Sequence, residues 1–91
     1  MLTRRRNRST TKVTFSLPAD EPAGTVSVVG DFNDWQPGSH TLAPSSYGTR
    51  AVSVTLPRDQ TYAFRYLGQN GYWFDEPDAP DTDGANNILA T

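Results

Sequence analysis

Apolar and polar residues alternate along most of this chain with the period of two that a half-buried β-strand requires. Val13, Phe15 and Leu17 alternate with Thr14 and Ser16, and Val26 and Val28 lead into Gly30. A short strand is predicted around Leu42. Val52, Val54 and Leu56 alternate with Ser53 and Thr55 until Pro57-Arg58-Asp59 breaks the run. Tyr62, Phe64 and Tyr66 share one face, opposite Ala63, Arg65 and Leu67. Gly68-Gln69-Asn70-Gly71 predicts a hairpin turn, because Asn-Gly readily takes positive φ, so Tyr72-Trp73-Phe74 should pair back. The acidic, proline-containing stretch from Asp75 to Asp83 is excluded as a central strand, since proline removes a ladder donor. Asn87-Ile88-Leu89 then reads as a closing strand. About seven short strands separated by turns predict an all-β sandwich.

At 91 residues the chain has room for one domain with a single two-layer core. No run is long and apolar enough for a membrane span, so a soluble protein is expected. There is no cysteine, which removes disulfides and thiolate metal sites. Charge is divided unevenly. Residues 1–12 carry Arg4, Arg5, Arg6, Arg8 and Lys12 and no acid; residues 13–91 hold three arginines and all ten acids, a net charge of −7. A body of that sign repels phosphate backbones, which argues against nucleic acid. Residues 1–11 are expected to form a disordered basic arm, and residues 12–91 the folded domain.

The candidate chemistry centres on Gly30-Asp31-Phe32-Asn33-Asp34-Trp35, a polar turn carrying two aromatics. An aromatic in such a setting is either a lid on the core or a platform offered to a ligand. Phe32 is assigned to the core. Trp35 is read as a platform against the competing reading of a core lid. Trp73 sits in a second turn-flanked segment, and if Phe74 points inward, Trp73 points outward. Two tryptophans in such positions suggest a flat aromatic binding surface.

The ordered set of motifs resembles the family-48 carbohydrate-binding modules. It comprises Gly30–Trp35, then Tyr62-Ala63-Phe64-Arg65-Tyr66, Gly71-Tyr72-Trp73-Phe74-Asp75-Glu76-Pro77, and Asp83-Gly84-Ala85-Asn86-Asn87-Ile88-Leu89. Those modules include the glycogen-binding domain of AMP-activated protein kinase β-subunits and the N-terminal early-set domains of isoamylases and glycogen branching enzymes. The resemblance, from about Lys12 to Thr91, implies an immunoglobulin-like (early-set) β-sandwich that binds α-1,4-linked glucans such as glycogen or starch. It places the family's binding tryptophans on Trp35 and Trp73 and its binding asparagine on Asn86. A binding lysine of the kinase-type domain falls on Ala63, and a threonine near the last loop on Ala85, so the polar contacts differ here. Arg65, two residues along the same strand face, is a substitute donor. The competing reading of Arg65 is a solvated ion pair with Asp75 or Glu76. Asn33, inside the first motif, completes the candidate carbohydrate-binding set. The implied partners are an α-glucan polysaccharide or malto-oligosaccharide and a glycogen-metabolising enzyme, in the cytoplasm, with no membrane contact.

Other chemistries fit poorly. A glycosidase needs two acids facing a cleft with separated pKa values, whereas most acids here lie in one proline-rich loop. Registering Gly84 at the sixth position of an EF-hand puts Ala79 first and Ala90 twelfth, where carboxylates are needed. His40 is the only histidine, and no Ser-His-Asp arrangement or phosphate loop exists. A non-catalytic module without cofactor or metal is expected. Two alternatives stay open: a protein-interaction module that kept the fold without sugar affinity, and a structural early-set domain beside a separate amylolytic enzyme.

Overall fold

A computed structural model describes residues 1–77, 81–82, 84 and 86–91, with Asp81 by its backbone alone. Ala85 and residues 78–80 and 83 of the acidic loop discussed above lie outside the described residues. The architecture is an immunoglobulin-like β-sandwich of two antiparallel sheets. Sheet A runs in the order β1 (Leu2–Arg6), β2 (Thr10–Pro18), β5 (Thr49–Pro57) and β4 (Ala43–Pro44). Sheet B runs β3 (Ser27–Gly30), β6 (Thr61–Leu67), β9 (Asn87–Ala90) and β8 (Asp81–Thr82), with β7 (Trp73–Phe74) also paired to β6. The seven strands expected from alternation are all present, and β1 and β8 are additional. β8 is an edge strand, the position that its proline-bearing surroundings allow. No helix among the described residues is long and apolar enough to cross a membrane.

The inward faces meet as alternation requires. Val13, Phe15 and Leu17 of β2 and Val54 and Leu56 of β5 pack against Val28, Phe64, Tyr66 and Leu89 of sheet B. Phe15 is the hub: its ring meets Phe64 edge-on at 5.2 Å and Tyr66 at 6.4 Å, and stacks on Phe32 at 5.7 Å. Such aromatic contacts add about 0.5–1.5 kcal/mol each beyond the area they bury. Phe32 thereby ties the turn after β3 to the core. The β6–β7 hairpin closes through Asn70 and Gly71, both at positive φ (59° and 74°).

One expectation is corrected. Residues 1–11 are not a disordered arm; Leu2–Arg6 pair antiparallel with Thr11–Phe15 of β2. The register turns Leu2, Arg4 and Arg6 toward the sandwich interior, opposite Phe15, Val13 and Thr11. Both arginines nevertheless remain exposed. Arg4 donates to the Ala90 carbonyl (2.6 Å) and Arg6 to the Thr91 carbonyl (2.8 Å), so sheet A is laced to β9. Asn7 makes the connecting turn: its side-chain oxygen accepts from the Ser9 and Thr10 amides and the Thr10 hydroxyl. The charge run concealed this strand because the acceptors of Arg4 and Arg6 are remote in sequence. Charged side chains along an edge strand also discourage edge-to-edge aggregation.

The chain's first residue joins the same lacing. The Met1 ammonium meets Glu76 Oε1 at 3.0 Å, and the Tyr66 hydroxyl donates to that oxygen at 2.7 Å. The Glu76 side chain is fully buried, so these charge-assisted contacts compensate its desolvation. Deleting residues 1–9 is therefore expected to lower unfolding stability by about 2–4 kcal/mol, read from the urea midpoint. An unchanged midpoint would show that β1 contributes nothing to the fold.

Candidate functional site

Of the candidate residues, Arg65 and Trp73 share the outer face of sheet B, and the phase of β6 explains why. Phe64 and Tyr66 are drawn into the core, so Ala63, Arg65 and Leu67 point outward. Cross-strand pairing extends that face: Ile88 lies beside Ala63, Val29 beside Arg65, and Trp73 beside Leu67. Phe74 pairs with Tyr66 and stacks on it at 5.3 Å, which turns Trp73 outward, with 39% of its surface exposed.

Arg65 stands mid-strand on this face. Its Nε donates to Asp75 Oδ1 at 3.0 Å, an ion pair open to solvent on the aspartate side. Such a pair contributes little stability. Its consequence is orientation, since one guanidinium edge is occupied and the terminal NH groups are left for other acceptors. Glu76, the other acid considered as a partner for Arg65, is buried with Tyr66 instead.

Trp35 lies in the turn after β3, near the Ala63 end of β6. The chain leaves β3 at Gly30, makes a 3-10 turn over Asp31–Asn33, and passes through Asp34 and Trp35, both at φ 56°. Two successive non-glycine residues in the left-handed region carry a strain of order 1 kcal/mol or more each. Local hydrogen bonds compensate it. The Trp35 amide donates to the Gly30 carbonyl (2.9 Å), and its indole Nε1 donates to Asp31 Oδ1 (2.9 Å). The second oxygen of Asp31 accepts the Ala63 amide at 2.8 Å. One carboxylate thus braces the indole against the edge of β6. Gly30 has to be glycine, because a Cβ there would lie 2.5 Å from the Ala63 carbonyl oxygen and 2.8 Å from Phe64 Cβ.

The tertiary structure redistributes the remaining candidates. Asn33 turns inward to stitch its own loop: Oδ1 accepts the Gly30 amide, while Nδ2 reaches the Val28 carbonyl (3.0 Å) and His40 Nδ1 (2.9 Å). Its amide hydrogens are thus directed into its own loop and not toward the outer face of sheet B. Asn86 is half-buried just ahead of β9. Its neighbour Asn87 is fully buried on the inner side, donating to the Phe64 carbonyl at 3.2 Å, so alternation assigns Asn86 to the outer side with Ile88. Asp31 was missed by sequence reasoning. The available signal was its spacing, a carboxylate four residues ahead of an indole N–H in a tight turn.

The resulting face is a shallow, one-sided surface. Ala63 and Leu67 are four residues apart on β6, roughly 13 Å along a strand; Trp73 pairs beside Leu67, and Asp31 links the Trp35 indole to the Ala63 amide. An outward indole beside a guanidinium suits a ligand that has apolar faces and a hydroxylated rim. No curated protein sequence matches this chain. The sequence does match the family described as carbohydrate-binding module 48 (isoamylase N-terminal domain) over residues 3–80, which include β1 and both tryptophans. A match over most of its length, on a sandwich that carries an aromatic cluster, shows that the chain belongs to carbohydrate-binding module family 48, a family of non-catalytic carbohydrate-binding modules.

Proposed function

We propose that this module binds α-1,4-linked glucan, as in glycogen or starch, across the outer face of sheet B. The observation that carries the reading is the outward Trp73 sharing a face with Arg65, beside a Trp35 braced by Asp31. In this reading Trp35 and Trp73 each cover the axial C–H face of one glucose ring, and a rigid ring loses little entropy on contact. Arg65 and Asn86 supply donors and acceptors at the sugar rims. The family's naming after isoamylase supports an amylolytic or glycogen-metabolising enzyme as protein partner, in the cytoplasm. A second reading, a protein-interaction or structural early-set domain with little sugar affinity, is favoured by Ala63, which offers no side-chain donor at its end of the face.

Retention on insoluble starch, competed by soluble maltoheptaose, separates the two readings; no retention supports the second. Trp35→Ala and Trp73→Ala should each weaken binding by roughly 1–3 kcal/mol, by analogy with bases stacked on aromatics. The melting temperature of Trp73→Ala should move little, because its ring is not in the core cluster. A Trp35→Ala protein that no longer folds would support the core-lid reading of that residue.

Asp31 tests the brace. Asp31→Ala leaves the indole N–H and the Ala63 amide without their acceptor, so affinity for maltoheptaose should fall about tenfold by calorimetry with both tryptophans in place. Equal affinity in the variant would mean that Trp35 is positioned by its backbone alone.

Arg65 tests the rim. Arg65→Ala should weaken maltoheptaose binding several-fold and Arg65→Lys less, since lysine keeps a donor while losing the planar fork. If neither variant changes affinity beyond about twofold, roughly 0.4 kcal/mol, the arginine serves only its ion pair with Asp75.

A further inference from the structure

Tyr72 precedes Trp73 in the chain and opens onto a different part of the surface. It lines a groove of about 420 Å³ together with Phe74, Pro22, Pro77, Asp20 and Glu21, and neither tryptophan takes part. That volume falls within the range of small-ligand clefts. The Tyr72 ring is 55% exposed, yet it is firmly backed: it stacks on Phe74 at 5.4 Å, and Phe74 stacks on the core residue Tyr66 at 5.3 Å. The facing wall is fixed as well. Buried Arg50 donates to the carbonyls of Pro22 (2.7 Å) and Gly24 (2.6 Å), and Gln69 lies so close to Gly24 that a Cβ there would fall 2.3 Å from its side chain. A platform and wall held this way are preformed, which lowers the ordering cost of binding.

The polar groups of the groove define its ligand. Among the described residues no hydrogen bond or ion pair engages the Tyr72 hydroxyl or the carboxylates of Asp20 and Glu21. Ionised carboxylates only accept hydrogen bonds. A proline-rich peptide, the other habitual guest of aromatic- and proline-lined grooves, presents backbone carbonyls and few N–H groups to such acceptors. A glucan presents hydroxyl donors around its rim and a C–H face to the tyrosine ring. We propose that this groove is a second carbohydrate-binding site, for a segment of the same α-glucan, which makes the module bivalent. The proposal rests on the glucan reading of the tryptophan face. Two sites on one module raise avidity for a branched or multi-chain polymer without new contacts at either site.

A titration of the full chain with maltoheptaose, followed by amide NMR shifts, tests this. Two resonance sets should move with separate midpoints, one around Leu67 and Trp73 and one around Glu21, Gly24 and Tyr72. Tyr72→Ala should weaken the groove set at least tenfold and leave the Trp73 set within twofold; Trp73→Ala should do the reverse. The milder pair Asp20→Asn with Glu21→Gln should weaken the groove set several-fold without touching the ring. Movement of the Trp73 set alone overturns the second site and leaves the first standing, whereas movement of neither set overturns both. A single shared midpoint shifted by Tyr72→Ala overturns independence and makes the groove an extension of the first site. Groove shifts caused by an arginine-flanked proline-rich peptide, and not by maltoheptaose, overturn the carbohydrate assignment.

Discussion

The contact of Phe15 with Phe64 and Tyr66 across the two sheets governs the rest of this molecule. Side chains alternate along a strand without exception, so drawing Phe64 and Tyr66 inward leaves one orientation for their neighbours. Ala63, Arg65 and Leu67 must then face outward, and pairing with β7 carries Trp73 out with them. A slip of one residue in β6 would bury an arginine and expose two large aromatic rings, a cost of several kcal/mol that no local contact could offset. The face proposed to bind is thus the reverse side of the core. Phe32 adds a second link, because its stack on Phe15 docks the turn that presents Trp35.

Polar contacts divide into those that organise and those that decorate. Asp31 uses both carboxylate oxygens, on the Trp35 indole and on the Ala63 amide, and so converts a strained turn into a fixed ring position. Arg50 does the same for the Pro22–Gly24 loop, and Arg4 and Arg6 for the open side of the sandwich. Glu76 lies buried between Tyr66 and the Met1 ammonium, where its charge requires partners. The Arg65–Asp75 pair is exposed and contributes little to stability, which leaves it available for recognition.

The proposed ligand, a neutral polyol, gains little from the acidic charge of this body, so the proposal rests on stacking area and ring rigidity. The two proposed sites meet that requirement by different routes. Trp35 is braced by a hydrogen bond, whereas Tyr72 is braced by a column of rings leading into the core. Their separation on the surface follows from alternation again, since Tyr72 and Trp73 are adjacent in sequence and cannot share a face.

The sandwich was legible in the sequence because its main signal is local. Val13-Phe15-Leu17, Val52-Val54-Leu56 and Tyr62-Phe64-Tyr66 announce their inward faces by period alone, and Asn70-Gly71 announces its turn by its preferred φ. The outward placement of Trp73 and Arg65 followed from the same period. What depended on partners remote in the chain could not be read. Arg4 and Arg6 looked like a solvated charge run until the carbonyls of Ala90 and Thr91 were brought to them. The hydrogen bonds of Asn33 to Val28 and His40 had no local signal, and Asp31 had no visible task until Ala63 and the indole met it. Periodicity is a property of neighbouring residues and survives in the sequence. A hydrogen bond is a property of two groups at one place, and only the tertiary structure decides which groups meet.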